Sequence, residues 1–227
     1  LGENPDSVFT VGGLGAENVE LLKNTLLSRS ECESELKIKF DKKNLFVTFH
    51  PETNLFDNAL EGLNQTLETL NHLTNTSIIF SLPNADTSFN EFKNKIQDFV
   101  NQDRSSRWAF TSICQTNYFS MLQNIDAVIG NSSSGILEAP SFKIATINIG
   151  GRQKGRIKGS SVIDVSADKK DIERAIAKVY TPNFKKTLTL LENQYYKFGT
   201  AENIVSILLT YPFSKDPKSF YDNNYVT

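Results

Sequence analysis

Chemistry is concentrated in the run Gly130-Asn131-Ser132-Ser133-Ser134-Gly135-Ile136-Leu137-Glu138-Ala139-Pro140, where apolar Ala127, Val128 and Ile129 give way to small polar residues. The pattern predicts a strand, a tight loop and the start of a helix. Unpaired N–H groups in a first helical turn, aided by the positive end of the helix dipole, favour an anion. Ser132 and Ser133 therefore read as part of a phosphate-binding turn. Glu138 lies about one turn beyond Ser134 and can accept hydrogen bonds from sugar hydroxyls. A phosphate site beside a hydroxyl acceptor suits a nucleotide. The residues leave a second reading open, in which the serines only cap the helix and Glu138 is a solvated first-turn acid. No Lys-Ser/Thr follows Gly135, so the run is not a P-loop, and it does not match the Gly-x-Ser-x-Gly nucleophile elbow.

Four further positions join this run if the chain alternates strands with helices. The apolar stretch Leu45 to Phe49 predicts a strand buried on both faces, which places His50 at its carboxyl end. Ligands of open parallel sheets gather outside those ends. Strand Ile78 to Phe80 leads to Asn84, strand Trp108 to Phe110 leads to Ile113, and strand Ala145 to Ile149 leads to Arg152. Arg152 opens a cationic loop, Gly151-Arg152-Gln153-Lys154-Gly155-Arg156-Ile157-Lys158-Gly159, whose glycine spacing predicts mobility. An arginine fork matches phosphate oxygens, so this loop could close over a diphosphate. His72, expected in the middle of a helix marked by Leu60, Leu63, Leu67 and Leu70, reads as a surface residue.

The elements that would position these groups recur along the chain. Val8 to Val11 predicts a first strand, ending at Gly12-Gly13, and Val19, Leu22 and Leu26 mark a helix over Asn18 to Ser28. Later helices carry the stripes Phe89, Phe92, Ile96, Phe99, Val100 and Ile172, Ala175, Ile176, Val179, with a short helix around Tyr118 to Leu122. Val162 to Val165 supplies the last of seven strands, the Ile172 to Val179 helix and two more over Phe184 to Leu191 and Ala201 to Leu209 follow it, and Pro140 ends or kinks the helix that Ser134 opens. This alternation predicts an α/β, Rossmann-like doubly wound parallel sheet over residues 1–211, with 212–227 as a tail.

Composition narrows the partners. The chain has 227 residues, 39% of them hydrophobic, enough for a proper core, and its net charge of -2 argues against nucleic acid. Two cysteines and two histidines make a disulfide framework or a His/Cys metal site improbable. No apolar run reaches membrane-spanning length and no leader is recognisable, so a soluble cytoplasmic protein is expected. The opening Leu1-Gly2-Glu3-Asn4-Pro5, without Met, reads as the interior of a longer polypeptide.

Four signatures in order, Val47-Thr48-Phe49-His50-Pro51-Glu52-Thr53, Pro83-Asn84-Ala85-Asp86, the run from Gly130 to Phe142, and Ile147 to Arg156, resemble the UDP-N-acetylglucosamine 2-epimerases, particularly the hydrolysing branch of sialic and related nonulosonic acid synthesis. The resemblance implies the C-terminal, UDP-holding half of a two-domain GT-B-type enzyme that uses no cofactor and works as a homo-oligomer at full length. By matched position it assigns Ser132 and Ser133 to phosphate, Glu138 to the ribose and Arg152 to the diphosphate. Asn84 and backbone near Ile113 would complete the nucleotide pocket, and His50 would face the diphosphate–sugar linkage as the catalytic candidate. The N-terminal domain, which in the family supplies the carboxylates for proton removal and return, has no counterpart in this sequence. Two other readings stay open: the donor domain of a GT-B glycosyltransferase, and a flavodoxin-like binding domain without nucleotide.

Overall fold

The computed structural model describes residues 3–51, 56–82 and 89–212. Six strands form one wholly parallel sheet: β1 Lys43–Thr48, β2 Thr76–Ser81, β3 Arg107–Phe110, β4 Ala127–Gly130, β5 Ala145–Ile149 and β6 Val162–Val165, in the order β3-β2-β1-β4-β5-β6. The helices are α1 Leu14–Leu22, α2 Arg29–Leu36, α3 Phe56–Leu70, α4 Phe89–Gln102, α5 Gln115–Leu122, α6 Ser134–Leu137, α7 Lys169–Val179, α8 Pro182–Thr189 and α9 Thr200–Thr210.

The period of two along β1 explains why its centre, Leu45-Phe46-Val47, is apolar on both faces. Leu45, Val47 and Phe49 enter a core shared with α3, α4, α7 and α8, whereas Phe46 enters a second core built with residues of α1, α2 and α5. The sheet is thus covered on both faces, as the alternation of strands and helices predicts. Its order reverses between β1 and β4, where Thr48 stands opposite Gly130. Chains leaving those two strands depart for opposite faces, and a crevice opens between them.

The amino-terminal region differs from expectation. Val8 to Val11 is extended but joins no strand, and Val8 and Phe9 remain 58% and 46% exposed. Its neighbour is the C-terminal segment: Lys197 Nζ donates to Thr10 O at 2.9 Å and Thr200 Oγ1 to Val11 O at 3.0 Å. Apolar and β-branched residues made the run strand-like, yet its polar backbone atoms meet side chains instead of a sheet edge. The expected helix over 18–28 begins earlier, at Leu14, and after Leu22 tightens into a 3₁₀ turn over Lys23–Thr25. The separate helix α2 escaped the sequence reading, although Ser28 and Glu31 form a capping box at its start. His72 is exposed, but it follows α3 and does not lie within it.

A buried carboxylate binds α1 to α9. Glu17 accepts from Thr200 N at 2.7 Å and Ala201 N at 2.9 Å. It supplies the cap that Gly199, lacking a side chain, cannot give the α9 N-terminus.

Gly130 closes β4 with φ of +133°, and a β-carbon there would collide with the carbonyl oxygen of Thr48. Backbone cannot yield as a flexible side chain would. Gly130→Ala is expected to destabilise the chain by about 3 kcal/mol or more, read as a lower urea midpoint. An unchanged midpoint would show that the β1–β4 junction tolerates a side chain.

Candidate functional site

The crevice at the sheet's reversal is a cleft of about 240 Å³. His50, Ile113, Ser132 and Glu138 line it, together with Ser81, Thr111, Tyr118 and Ser134. Larger hollows of about 460 Å³ lie along β6 and α7 and beside Phe9 and α9, but neither gathers residues from the β1–β4 junction. Four of the seven residues singled out from the sequence therefore meet in one place.

Asn131 sets the arrangement. Its amide closes a two-way clamp on His50: Oδ1 accepts from His50 N at 2.8 Å, and Nδ2 donates to His50 O at 2.9 Å. Its own backbone carbonyl accepts from Gln153 Nε2 at 2.8 Å and Arg152 Nη1 at 3.1 Å. The loops after β1, β4 and β5 are thereby tied through one buried residue. Sequence reasoning missed Asn131 and Gln153 as site builders; their signal was a pair of amide residues beside strand ends in otherwise charged or small-residue loops.

The serine turn is shorter than its pattern suggests. Helix α6 has four residues and passes into a 3₁₀ turn over Ala139–Phe142 at Pro140. So few aligned peptides curtail the expected dipole, and any anion there must rely on individual N–H and hydroxyl groups. Ser132 Oγ accepts from Ser134 N at 3.3 Å, which turns its side chain inward. Ser133, the N-cap, makes no side-chain capping bond and does not line the cleft. The reading of the serines as simple caps thus fails at Ser133. Gly135 lets the turn press on β5, since a β-carbon there would stand 2.5 Å from Thr146 Cγ2.

Arg152 is exposed and also lies outside the cleft lining, although its bond to Asn131 O sets it beside Ser132. The cationic loop expected to be mobile is anchored at its start, because Gln153 is buried against Asn131. Farther along, Lys158 pairs with Asp164 at 2.7 Å. Asn84 lies outside the described residues.

Two groups in the cleft are poorly provided for. Glu138 Oε2 and Tyr118 Oη are buried without a protein hydrogen-bond partner. Burial pushes the Glu138 carboxyl up to about 7, and burial likewise raises the Tyr118 phenol, keeping it neutral. Buried polar atoms of native proteins nearly always find partners, so these two mark a place for a polar ligand. Among the described residues no group of three or more His, Cys, Asp or Glu could hold a metal ion, and no helix is long and apolar enough to cross a membrane.

The sequence profile described as UDP-N-acetylglucosamine 2-epimerase matches residues 1–209. The chain is 38% identical to polysialic acid biosynthesis protein P7 of Escherichia coli, covering 98% of this chain and 56% of that protein. It is 34% identical to the hydrolysing GDP/UDP-N,N'-diacetylbacillosamine 2-epimerase of Campylobacter jejuni, covering 82% and 47%. The chain thus spans about half the length of these relatives. Its fold superposes on the Methanocaldococcus jannaschii UDP-GlcNAc 2-epimerase solved with UDP-GlcNAc and UDP, with a TM-score of 0.69 at 15% identity over 92% of this chain and 56% of that one. At that identity the likeness is one of fold, a Rossmann-like half of the GT-B type.

A raised acid makes stability depend on pH in a definite direction. Between the ordinary carboxyl value of about 4.5 and about 7, the folded chain keeps the Glu138 proton that the unfolded chain has lost. Stability therefore falls as pH rises through that window. Glu138→Gln does not titrate, so its stability relative to wild type should improve by on the order of 2–3 kcal/mol from about pH 4 to about pH 8. A difference that stays constant across that range in denaturant titrations would refute the burial of this carboxyl.

Proposed function

The chain belongs to the UDP-N-acetylglucosamine 2-epimerase family, and from that premise we propose that residues 1–211 are the UDP-holding part of a hydrolysing 2-epimerase. The reaction of the whole enzyme would convert UDP-N-acetylglucosamine and water into N-acetylmannosamine and UDP. UDP leaves first by elimination across C1 and C2 of the sugar, and water then adds to the resulting glycal. The names of the Escherichia coli and Campylobacter relatives support a place in sialic or related nonulosonic acid synthesis. The observation that carries the reading is the convergence of His50, Ile113, Ser132 and Glu138 on one cleft at the sheet's reversal.

Each residue then has a chemical task. Ser132 and Ser133 would offer hydroxyl and N–H donors to phosphate oxygens, while Arg152, beside them, would meet the diphosphate with its planar fork. Backbone near Ile113, with Asn84, would border the base. Glu138 would accept from the ribose hydroxyls. Departing UDP gains negative charge, which prearranged donors and a cation stabilise more than they stabilise the intact substrate. His50, held by Asn131, would face the bond that breaks.

Elimination also needs a base and a proton donor within reach of the sugar ring. Glu138 is engaged elsewhere in this scheme, so the carboxylates would come from a partner domain, consistent with relatives about twice as long. We place the complete enzyme in the cytoplasm as a homo-oligomer.

Calorimetry tests the nucleotide assignment. UDP should bind the chain, uridine should bind far more weakly, and Glu138→Gln should lose about 1–3 kcal/mol of UDP affinity. Equal binding of uridine and UDP would remove the phosphate roles of Ser132, Ser133 and Arg152. Turnover tests the chemistry: UDP-N-acetylglucosamine with no acceptor should yield UDP and N-acetylmannosamine only when the amino-terminal half is supplied. Activity of the 227-residue chain alone, abolished in His50→Ala, would instead locate the proton chemistry here. Sugar transfer that requires an acceptor would identify a glycosyltransferase.

A further inference from the structure

Gly15 belongs to the first turn of α1, far in sequence from the serine turn, yet a β-carbon added to it would stand 2.6 Å from Glu138 Oε1 and 3.4 Å from Glu138 Cδ. Nothing in the backbone demands glycine at this position. Its φ is not positive, it lies within a helix, and alanine is in general the better helix former. What the missing side chain provides is room for one carboxylate oxygen.

The other sides of that carboxyl are also enclosed. Glu138 Oε2 is buried without a partner. From α5, the phenol of Tyr118 lines the same cleft and lies near enough to feel the charge of Glu138. Tyr118 is itself wedged by its ring neighbours, 5.6 Å from both Phe46 and Phe119. His50, Ser132 and Ser134 complete the polar and titratable surroundings on the cleft side. Nor can α1 retreat from Glu138, because Glu17 holds α9 and Gly13 N donates to Tyr195 O at 2.7 Å.

We propose that Gly15 is a positioning residue of the nucleotide site: by lacking a side chain it leaves a slot, closed on its other side by Tyr118, that points the Glu138 carboxyl at the ribose hydroxyls. The inference rests on the nucleotide reading above and extends the site to an element that does not line the cleft. A side chain at position 15 would be accommodated by swinging the flexible end of Glu138 away, since the backbone of α1 is fixed and the carboxylate is not.

Gly15→Ala separates this role from a structural one, because fold and binding should move in opposite directions. Its unfolding midpoint should hold or rise by about 1–4 °C, from the alanine in the helix. The Glu138 carboxyl, followed by carbon NMR, should titrate lower as it leaves the slot, toward the ordinary carboxylate range. UDP affinity should fall about tenfold, and the same substitution in a Glu138→Ala background should change it less than about twofold. Tyr118→Phe should likewise weaken UDP several-fold while keeping its ring contacts. Wild-type chain that binds no UDP would end both the nucleotide reading and the slot. Wild-type binding matched by Gly15→Ala, or a Gly15→Ala chain whose midpoint falls, would end the slot and leave the nucleotide reading standing.

Discussion

The buried side chain of Asn131 is the interaction on which the site depends. A carboxamide buried in a protein must place both its acceptor and its donor, and Asn131 spends them on the two backbone groups of His50. The clamp spans the gap where the sheet reverses, between strands whose following helices lie on opposite faces. Without such a bridge, the loops after β1 and β4 would be joined only through the strands behind them. Because the Asn131 carbonyl also collects Arg152 and Gln153, the histidine at the end of β1 and the first cation after β5 share one anchor. An aspartate at this position could still accept from His50 N but could not donate to His50 O, so the choice of amide is specific to a two-way clamp.

Around that anchor the cleft is built against the interest of stability. Glu138 and Tyr118 bring buried oxygen atoms with no protein partner into the space where the serine turn meets α5. An apolar pair would pack there at no desolvation penalty, and a partnered one would recover it. Such local conflict is what a site preorganised for a polar ligand looks like before the ligand arrives. The larger hollows along α7 and α9 show no comparable tension among the groups that line them.

How much of this was legible in the sequence follows from the range of the interactions. Six of the seven expected strands, those from Leu45 to Val165, and the α4 and α7 stripes could be read because periodicity is local. The parallel sheet and the residues at its carboxyl ends then followed from the alternation, whereas the strand order β3-β2-β1-β4-β5-β6 is set by packing that no local pattern reports. Val8 to Val11 was misread because composition reports that a segment is extended, not what lies alongside it. Asn131, Gln153, Tyr118 and Gly15 escaped for the complementary reason. Their roles arise from residues in other elements, and a glycine or an amide carries no mark of the side chain it will face. The serine turn was found, but the brevity of α6 was only hinted at by Pro140, which limits how far a dipole argument can be taken from a motif.

The bond between Glu17 and Thr200 joins residues 183 positions apart. Contacts of that order close only after nearly all of the intervening chain has been ordered, and the entropy of closing so long a loop is recovered late. During synthesis α1 can pack Val19 into the second core early, but its tie to α9 can form only once α9 has left the ribosome. The parallel sheet and its two cores can assemble before then, since their neighbouring strands and helices are nearer in sequence. Because Gly15 rides on α1, the wall it forms against Glu138 is among the last parts of the molecule to be fixed in place. A nascent chain can hold a nearly complete sheet, with the Asn131 clamp already formed, and still lack a finished cleft.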